Sequence, residues 1–237
     1  MERLDKILAN TGRWSRKEAR ELVRAGRVAV DGVTAQAADG KYDPAARFEV
    51  DGETVSGERL VYLMLHKPAG LVSATEDPRQ PTVLELLPQH LRRVGLFPAG
   101  RLDKDTEGLL LITDDGALSH ALMSPNRHVE KEYEAVVDGA LAADAVSRFE
   151  QGMTLRDGTE CKPAKLEILE TEPELRVRVT LKEGKYHQVK RMVSAVGGTV
   201  TALNRLLLGG LWLDKTLAPG EFRELTQEEL EKLTSQT

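Results

Sequence analysis

Apolar residues recur along this chain first at helical spacing and then at strand spacing. Leu4, Ile7 and Leu8 share one helical face, and Gly12 suits a stop. "SRKEARELVRAG" opens with Ser15 and Glu18 in capping-box relation, presents Ala19, Leu22 and Val23 as its apolar face, and closes at Gly26. "RVAVDG" and "RFEVDG" then alternate apolar with polar residues and end in Asp-Gly, a hairpin-turn signal. Two short helices and a small sheet are predicted for this first segment.

The polar stretch "ETVSGER", residues 53–59, reads as a linker, which places one domain at 1–58 and a second at 59–237. The second begins with a strand in "LVYLMLHKPAG". "TVLELLPQHL" has helical spacing, "GLLLIT" is apolar enough for a buried strand, and "ALSHALM" is a short helix before Pro125. Val129, Lys131, Tyr133, Ala135 and Val137 alternate onto one face of a strand, and "ADAVSRFEQG" is a helix ending at Gly152. "LRVRVTL" is a half-buried strand. The stretch 186–196, "YHQVKRMVSAV", is a helix with Val189, Met192, Val193 and Val196 inward. "TVTALNRLLLGGLWL" is a strand pair bent at Gly209 and Gly210, and "TQEELEKL" is a capped helix. Helices and strands mix without a βαβ rhythm, so the expected class is α+β, with a mixed, mainly antiparallel sheet flanked by helices.

Composition changes this picture little, whereas charge changes it more. The chain has 237 residues, 41% hydrophobic and 30% charged, as in a soluble globular protein. No apolar run approaches the roughly 20 residues of a membrane helix, and "MERLDKILANTG" lacks the apolar core of a secretory signal. The one cysteine, Cys161, cannot form an internal disulfide, so a reducing cytoplasm is the expected home. The net charge of −5 argues against nucleic acid, yet residues 1–27 carry eight Lys or Arg against four acids. Arg16, Arg20, Arg24 and Arg27 follow at steps of four, four and three, one stripe along the second helix. Such stripes are most often solvated faces. A row of guanidinium forks is also what an RNA backbone selects.

The five histidines are scattered, no His or Cys pair has zinc-ligand spacing, and no phosphate-cradling glycine loop is present, so cofactor-free chemistry without metal is expected. One stretch stands out. "GRLDKDTEGLLLIT", residues 100–113, sets a dense mixed-charge loop against a core strand. Asp103 within it could be an ordinary turn residue bonding its own backbone. Further along, His187, Lys190, Arg191 and Ser194 form a polar face on a helix that must pack on the sheet, and Tyr133 is an aromatic flanked by charge. An acid, cations and an aromatic ring suit a site that breaks a glycosidic bond and stacks a base.

"YLMLHKPAG", "GRLDKDTEGLLLITDDG", "SPNRHVEKEYEAVVDG", "EGKYHQVKRMVSAVG" and "LAPGEFRELT", in that order, resemble the RsuA branch of the pseudouridine synthases over essentially the whole chain. The N-terminal segment resembles the S4 RNA-binding domain that precedes the catalytic domain in this branch. The resemblance implies isomerisation of uridine to pseudouridine in RNA: the C1′–N1 bond breaks, the uracil turns, and a C1′–C5 bond forms. By position, Asp103 matches the family's catalytic aspartate, Tyr133 the tyrosine stacked on the uracil, and Lys190 the cation that pairs with the aspartate. RNA contacts are expected from Arg3, Lys6, Arg16, Lys17, Arg20, Arg24, Lys67, Arg101 and Arg191, with Arg101 and Arg191 holding either RNA or the loop. His66 departs from the pattern, since many members have Asn there.

Within the branch, the resemblance points to the enzyme that modifies uridine 516 of bacterial 16S rRNA, working as a monomer away from membranes. A 23S rRNA target stays open, as does a non-catalytic S4-domain assembly factor, against which intact Asp103 and Tyr133 argue. Two-carboxylate glycoside hydrolysis would need a second acid at a fixed separation, which Asp105 or Glu107 does not establish by spacing, and a basic N-terminus does not suit a neutral sugar polymer.

Overall fold

The computed structural model describes residues 1–11, 13–55, 60–92, 95–124 and 126–235, with His90 by its backbone alone. It divides into two compact units, Met1–Val61 with Leu87–Phe97 and Thr113–Asp115, and Tyr62–Leu86 with Pro98–Ile112 and Gly116–Thr237. The expected domain boundary at 58/59, the second half of the expected linker, Gly12 and Pro125 lie outside the described residues.

In the N-terminal unit, α1 (Leu4–Asn10) and α2 (Arg16–Arg24) pack over a four-stranded antiparallel sheet. Its strands β1 (Val28–Val30), β2 (Val33–Thr34), β3 (Phe48–Val50) and β4 (Glu53–Val55) lie in the order β2-β1-β3-β4. The capping box forms in both directions: Glu18 N donates to Ser15 Oγ (3.2 Å) and Ser15 N to Glu18 Oε2 (2.6 Å). Both Asp-Gly turns are left-handed, with φ of 50° and 80° at Asp31 and Gly32 and of 55° and 81° at Asp51 and Gly52, which matches the twist of the paired strands. Leu4, Ile7, Leu8, Val28, Phe48 and Val50 meet in the core. Truncating one of the leucines to alanine would cost about 2–5 kcal/mol.

The second unit is organised by one large sheet. Its principal strands are β5 (Tyr62–Lys67), β6 (Glu107–Thr113), β7 (Lys131–Asp138), β8 (Lys165–Glu170), β9 (Leu175–Leu181), β10 (Thr199–Leu208) and β11 (Phe222–Glu224). They lie in the order β8-β9-β7-β10-β6-β5-β11. The pairs β8–β9, β9–β7, β7–β10 and β11–β5 are antiparallel, whereas β10–β6 is parallel. The sheet is thus mixed and mainly antiparallel, as expected. The unit also holds α3 (Gly116–Met123), α4 (Ala145–Gln151), α5 (Gln188–Ala195) and α6 (Gln227–Thr234). Leu109 to Ile112 are all fully buried, which explains why that run is apolar without alternation.

Two expectations change. "TVLELLPQHL" is not an α-helix but two 3₁₀ turns, Val83–Leu86 and Gln89–Leu91. Pro88 lies between them; it has no N–H to donate and disfavours a helical residue before it. The helix expected at 186–196 begins at Gln188, because His187 is left-handed (φ 47°) and takes Tyr186 out of the helical path.

Candidate active site

Asp103 sits in the loop that leads into β6. Gly108, the second residue of that strand, has φ 104°, and a side chain there would run into the Arg205 backbone, so glycine lets β6 and β10 pair side by side. The loop itself is clamped. Ser73 Oγ donates to Leu102 O (2.9 Å) and accepts from Leu102 N (3.1 Å), and Thr106 N donates to Asp103 O (3.1 Å). From beneath, the Lys67 ammonium donates to the carbonyls of Pro68 (2.9 Å), Lys104 (3.2 Å) and Thr106 (2.8 Å). Gly70 N adds a further bond to Lys104 O (2.7 Å). A side chain carried on so many fixed backbone groups has little positional slack.

Two side chains from the start of α5 meet the Asp103 carboxylate. Lys190 Nζ lies 3.2 Å from its Oδ2, and His187 Nε2 lies 3.4 Å from its Oδ1. Lys190 is shared, because its Nζ is closer still to Asp105 Oδ1, at 2.6 Å. Burial pulls the Lys190 ammonium down, but hydrogen bonds to Asp105 and Asp103 outweigh it and hold the group above the ordinary lysine value. The Lys190 hydrogen bond is also the main reason that Asp105 lies below the usual carboxylate range.

Beside Asp103 is a small cavity of about 90 Å³, lined by Thr106, Tyr133, Leu181, Val189 and Leu203 among others. Tyr133 stands on β7 opposite Val179 and Arg205, is 9% exposed and lines the cavity. Thr106 also lines the cavity, and its buried hydroxyl has no partner among the described residues. β10 and β7 also carry two buried cations, Arg205, whose Nε donates to Leu109 O (2.8 Å), and Lys131, whose Nζ donates to Val129 O (2.7 Å). Burial, and then the Arg205 charge, push Lys131 down to about 8. A fixed carboxylate beside a cavity lined by apolar and polar side chains in similar measure, with an aromatic residue among them, can hold a planar base and act on the atom attached to it.

The sequence-predicted residues therefore divide. Asp103, Tyr133 and Lys190 converge, with Arg101 at the cavity edge. Arg191 braces the backbone instead: it donates to Tyr186 O (3.1 Å) and Thr159 Oγ1 (3.1 Å) and pairs with Asp157 (2.5 Å). Lys67 is a correction. Expected to touch RNA, it is fully buried, and burial pushes its ammonium down to about 8 against the opposing pull of the Asp105, Glu107 and Asp103 charges. The signal was present, since alternation along β5 places Lys67 on the same inward face as Leu63 and Leu65. His187 was noted only as part of a polar face, and Ser73 not at all.

In the N-terminal unit the arginine stripe has an acid under it. Asp5 of α1 is fully buried and accepts from Arg3, Arg16 and Arg20 at 2.8–3.2 Å. Burial works against its charge, yet those hydrogen bonds hold its carboxyl far below the usual range. Each of the three arginines remains about half exposed. Lys6 pairs with Glu2 (3.1 Å), while Lys17 and Arg24 are exposed.

Family models agree with this arrangement. Residues 61–195 match the RNA pseudouridylate synthase family and residues 2–39 the S4 domain. The chain belongs to the RNA pseudouridylate synthase family, enzymes that isomerise uridine in RNA, and carries an N-terminal S4 domain. It is 48% identical to "Uncharacterized RNA pseudouridine synthase YtzG" of Bacillus subtilis (strain 168) over 98% of each chain. It is 44% identical to "Ribosomal small subunit pseudouridine synthase A" of Escherichia coli (strain K12), over 96% of this chain and 98% of that one. Among solved structures, the crystal structure of a pseudouridylate synthase superposes with a TM-score of 0.69 at 37% identity, over 98% of this chain and all of the other.

Proposed function

We propose that this protein converts uridine 516 of 16S ribosomal RNA to pseudouridine, with Asp103 as the reacting carboxylate. The observation that carries this reading is the clamped Asp103, held by Lys190 and His187 at the rim of a cavity walled by Tyr133. The small-subunit target is supported by likeness to the Escherichia coli enzyme, whose name states that substrate.

In this reading residues 1–58 are the RNA-binding module and 59–237 the catalytic domain. The target uridine leaves its stack at a cost of roughly a few kcal/mol. Stacking on Tyr133, worth ~1–3 kcal/mol, offsets part of that. Asp103 then either attacks the nucleotide or takes a proton from the sugar. The C1′–N1 bond breaks, the uracil turns within the cavity, and C1′–C5 forms, with one proton leaving C5 and one arriving at N1. Lys190 pairs with the acid and holds its carboxylate in place. Lys17, Arg24 and the half-free arginines of the stripe hold phosphates. The enzyme acts as a monomer in the cytoplasm, without a cofactor.

Mapping pseudouridine in ribosomal RNA from cells lacking the protein tests the target. Loss of a single modification, at position 516, is expected. An intact small subunit with one missing 23S site would move the substrate to the large subunit.

A further inference from the structure

Tyr186 is 76% exposed, high for a large aromatic side chain. It lines an open groove of about 940 Å³ that is also lined by Asp103, Arg101, Lys104 and Lys185. One face of its ring is covered. It stacks on the His187 imidazole with centroids 3.9 Å apart and planes 17° from parallel. His187 in turn touches Asp103 at 3.4 Å. The other face of Tyr186 is open.

Exposure here does not come with slack. Lys185 N donates to Gln188 Oε1 (2.9 Å), Gln188 Nε2 to Glu183 Oε1 (2.6 Å), and Lys162 N to the same Glu183 oxygen (2.9 Å). Glu183 and Gln188 are buried, and the Arg191 guanidinium holds the Tyr186 carbonyl from the helix side (3.1 Å). The chain has thus spent buried polar groups on fixing an aromatic ring that points at solvent. The left-handed His187 backbone completes the presentation by turning the pair out of the helix.

We propose that the open face of Tyr186 is a stacking platform for the nucleobase next to the target uridine. The inference rests on the reading of Asp103 as the reacting acid. Extruding one base leaves its neighbour without a stacking partner on one side. A fixed aromatic beside the site, flanked by cations that receive the adjoining phosphates, replaces that partner for any base. The layers run in order from the neighbouring base to Tyr186, to His187, and to the Asp103 carboxylate, so the platform also sets the distance between the RNA strand and the acid.

The test is a cycle of protein and RNA changes, with affinity measured on a ribosomal RNA segment that the wild-type protein converts in vitro. Choosing the segment by conversion means that a miss at uridine 516 moves the substrate without touching the platform. Tyr186→Ala should weaken binding of the intact segment about tenfold, and Tyr186→Phe by no more than about twofold. Removing the base on one side of the target, leaving an abasic sugar, should cost the wild-type protein about as much and cost Tyr186→Ala nothing further. An equal loss by Tyr186→Ala on the intact RNA and on both single-abasic RNAs would overturn the proposal, and so would no loss on any of them. An unchanged melting temperature is expected, because the ring is mostly in water.

Discussion

Asp5 and Asp103 both lie among cations, one in each unit, yet only one keeps an open side. Asp5 is fully buried, and both its oxygens are engaged by Arg3, Arg16 and Arg20. Nothing is left with which to act, so it serves as a keystone under a basic surface. Asp103 has a side chain 28% exposed, one lysine on one oxygen, a more distant histidine on the other, and a cavity beside it. Counting cations would rank Asp5 as the more perturbed acid, and in pKa terms it is strongly displaced. A displaced carboxyl with no open side has nothing to offer a ligand, whereas a carboxylate beside a cavity does.

The sharpest way to break this contrast is to neutralise each acid. Asp103→Asn should lower pseudouridine formation in single turnovers by at least about 10³-fold, a barrier change of ~4 kcal/mol. RNA affinity and melting temperature should stay near wild type. Activity within about tenfold of wild type would hand the chemistry to another residue.

Lys67→Met comes next. If Lys67 positions the loop, turnover should fall roughly 10- to 100-fold through misplacement of Asp103, while the salt dependence of RNA binding is unchanged. A flatter salt slope would restore Lys67 to the RNA surface.

Asp5→Asn should reverse the Asp103 pattern: conversion of bound RNA is intact, but the N-terminal unit loses roughly 1–3 kcal/mol because three guanidinium groups lose a charged acceptor. Asp5 has a depressed carboxyl in the folded state, so its contribution is full above the ordinary aspartate value near ~3.9 and fades as the pH falls further. The gap between wild type and variant in acid titration should close accordingly.

Lys190→Met probes a smaller effect. Methionine keeps much of the stem and deletes the charge that bridges Asp103 and Asp105. Removing a neighbouring cation disfavours the ionised form of a carboxylate, so the acidic limb of the pH–rate profile should move to higher pH, with a loss at neutrality of less than about tenfold. An unmoved limb would reduce Lys190 to a phosphate contact. Smallest of all, Arg24→Gln should reduce the salt slope of RNA binding by about 0.7–0.9, the release of one counterion.

Much of this organisation was legible in the residues, for physical reasons that differ by element. The capping boxes at Ser15 and Thr226 and the Asp-Gly turns are local chemistry, so short windows reveal them. Alternation in "KEYEAVV" placed Tyr133 inward because the strand is buried on that face. Local spacing failed at Pro88, where one missing N–H divides an apolar pattern into two turns. It also could not show that Asp5 and Arg20 meet, or that Ser73 grips Leu102, since both contacts join residues far apart in the chain. Lys67 was misjudged by residue type: a lysine suggests a surface, and only its register with Leu63 and Leu65 says otherwise.

Lys67 also has a consequence in alkali. An unfolded lysine titrates near ~10.4, whereas Lys67, like Lys131, is pushed down to about 8. Between those values the unfolded chain holds the extra protons, so the folded state gains as the pH rises. Over the same interval the Lys67 head group becomes an amine with two hydrogens to share among the carbonyls of Pro68, Lys104 and Thr106. The loop that carries Asp103 should then loosen, while the two lysines should make the fold more resistant to heat. Above pH 8 thermal resilience and turnover should run in opposite directions, with Lys67 bearing on both.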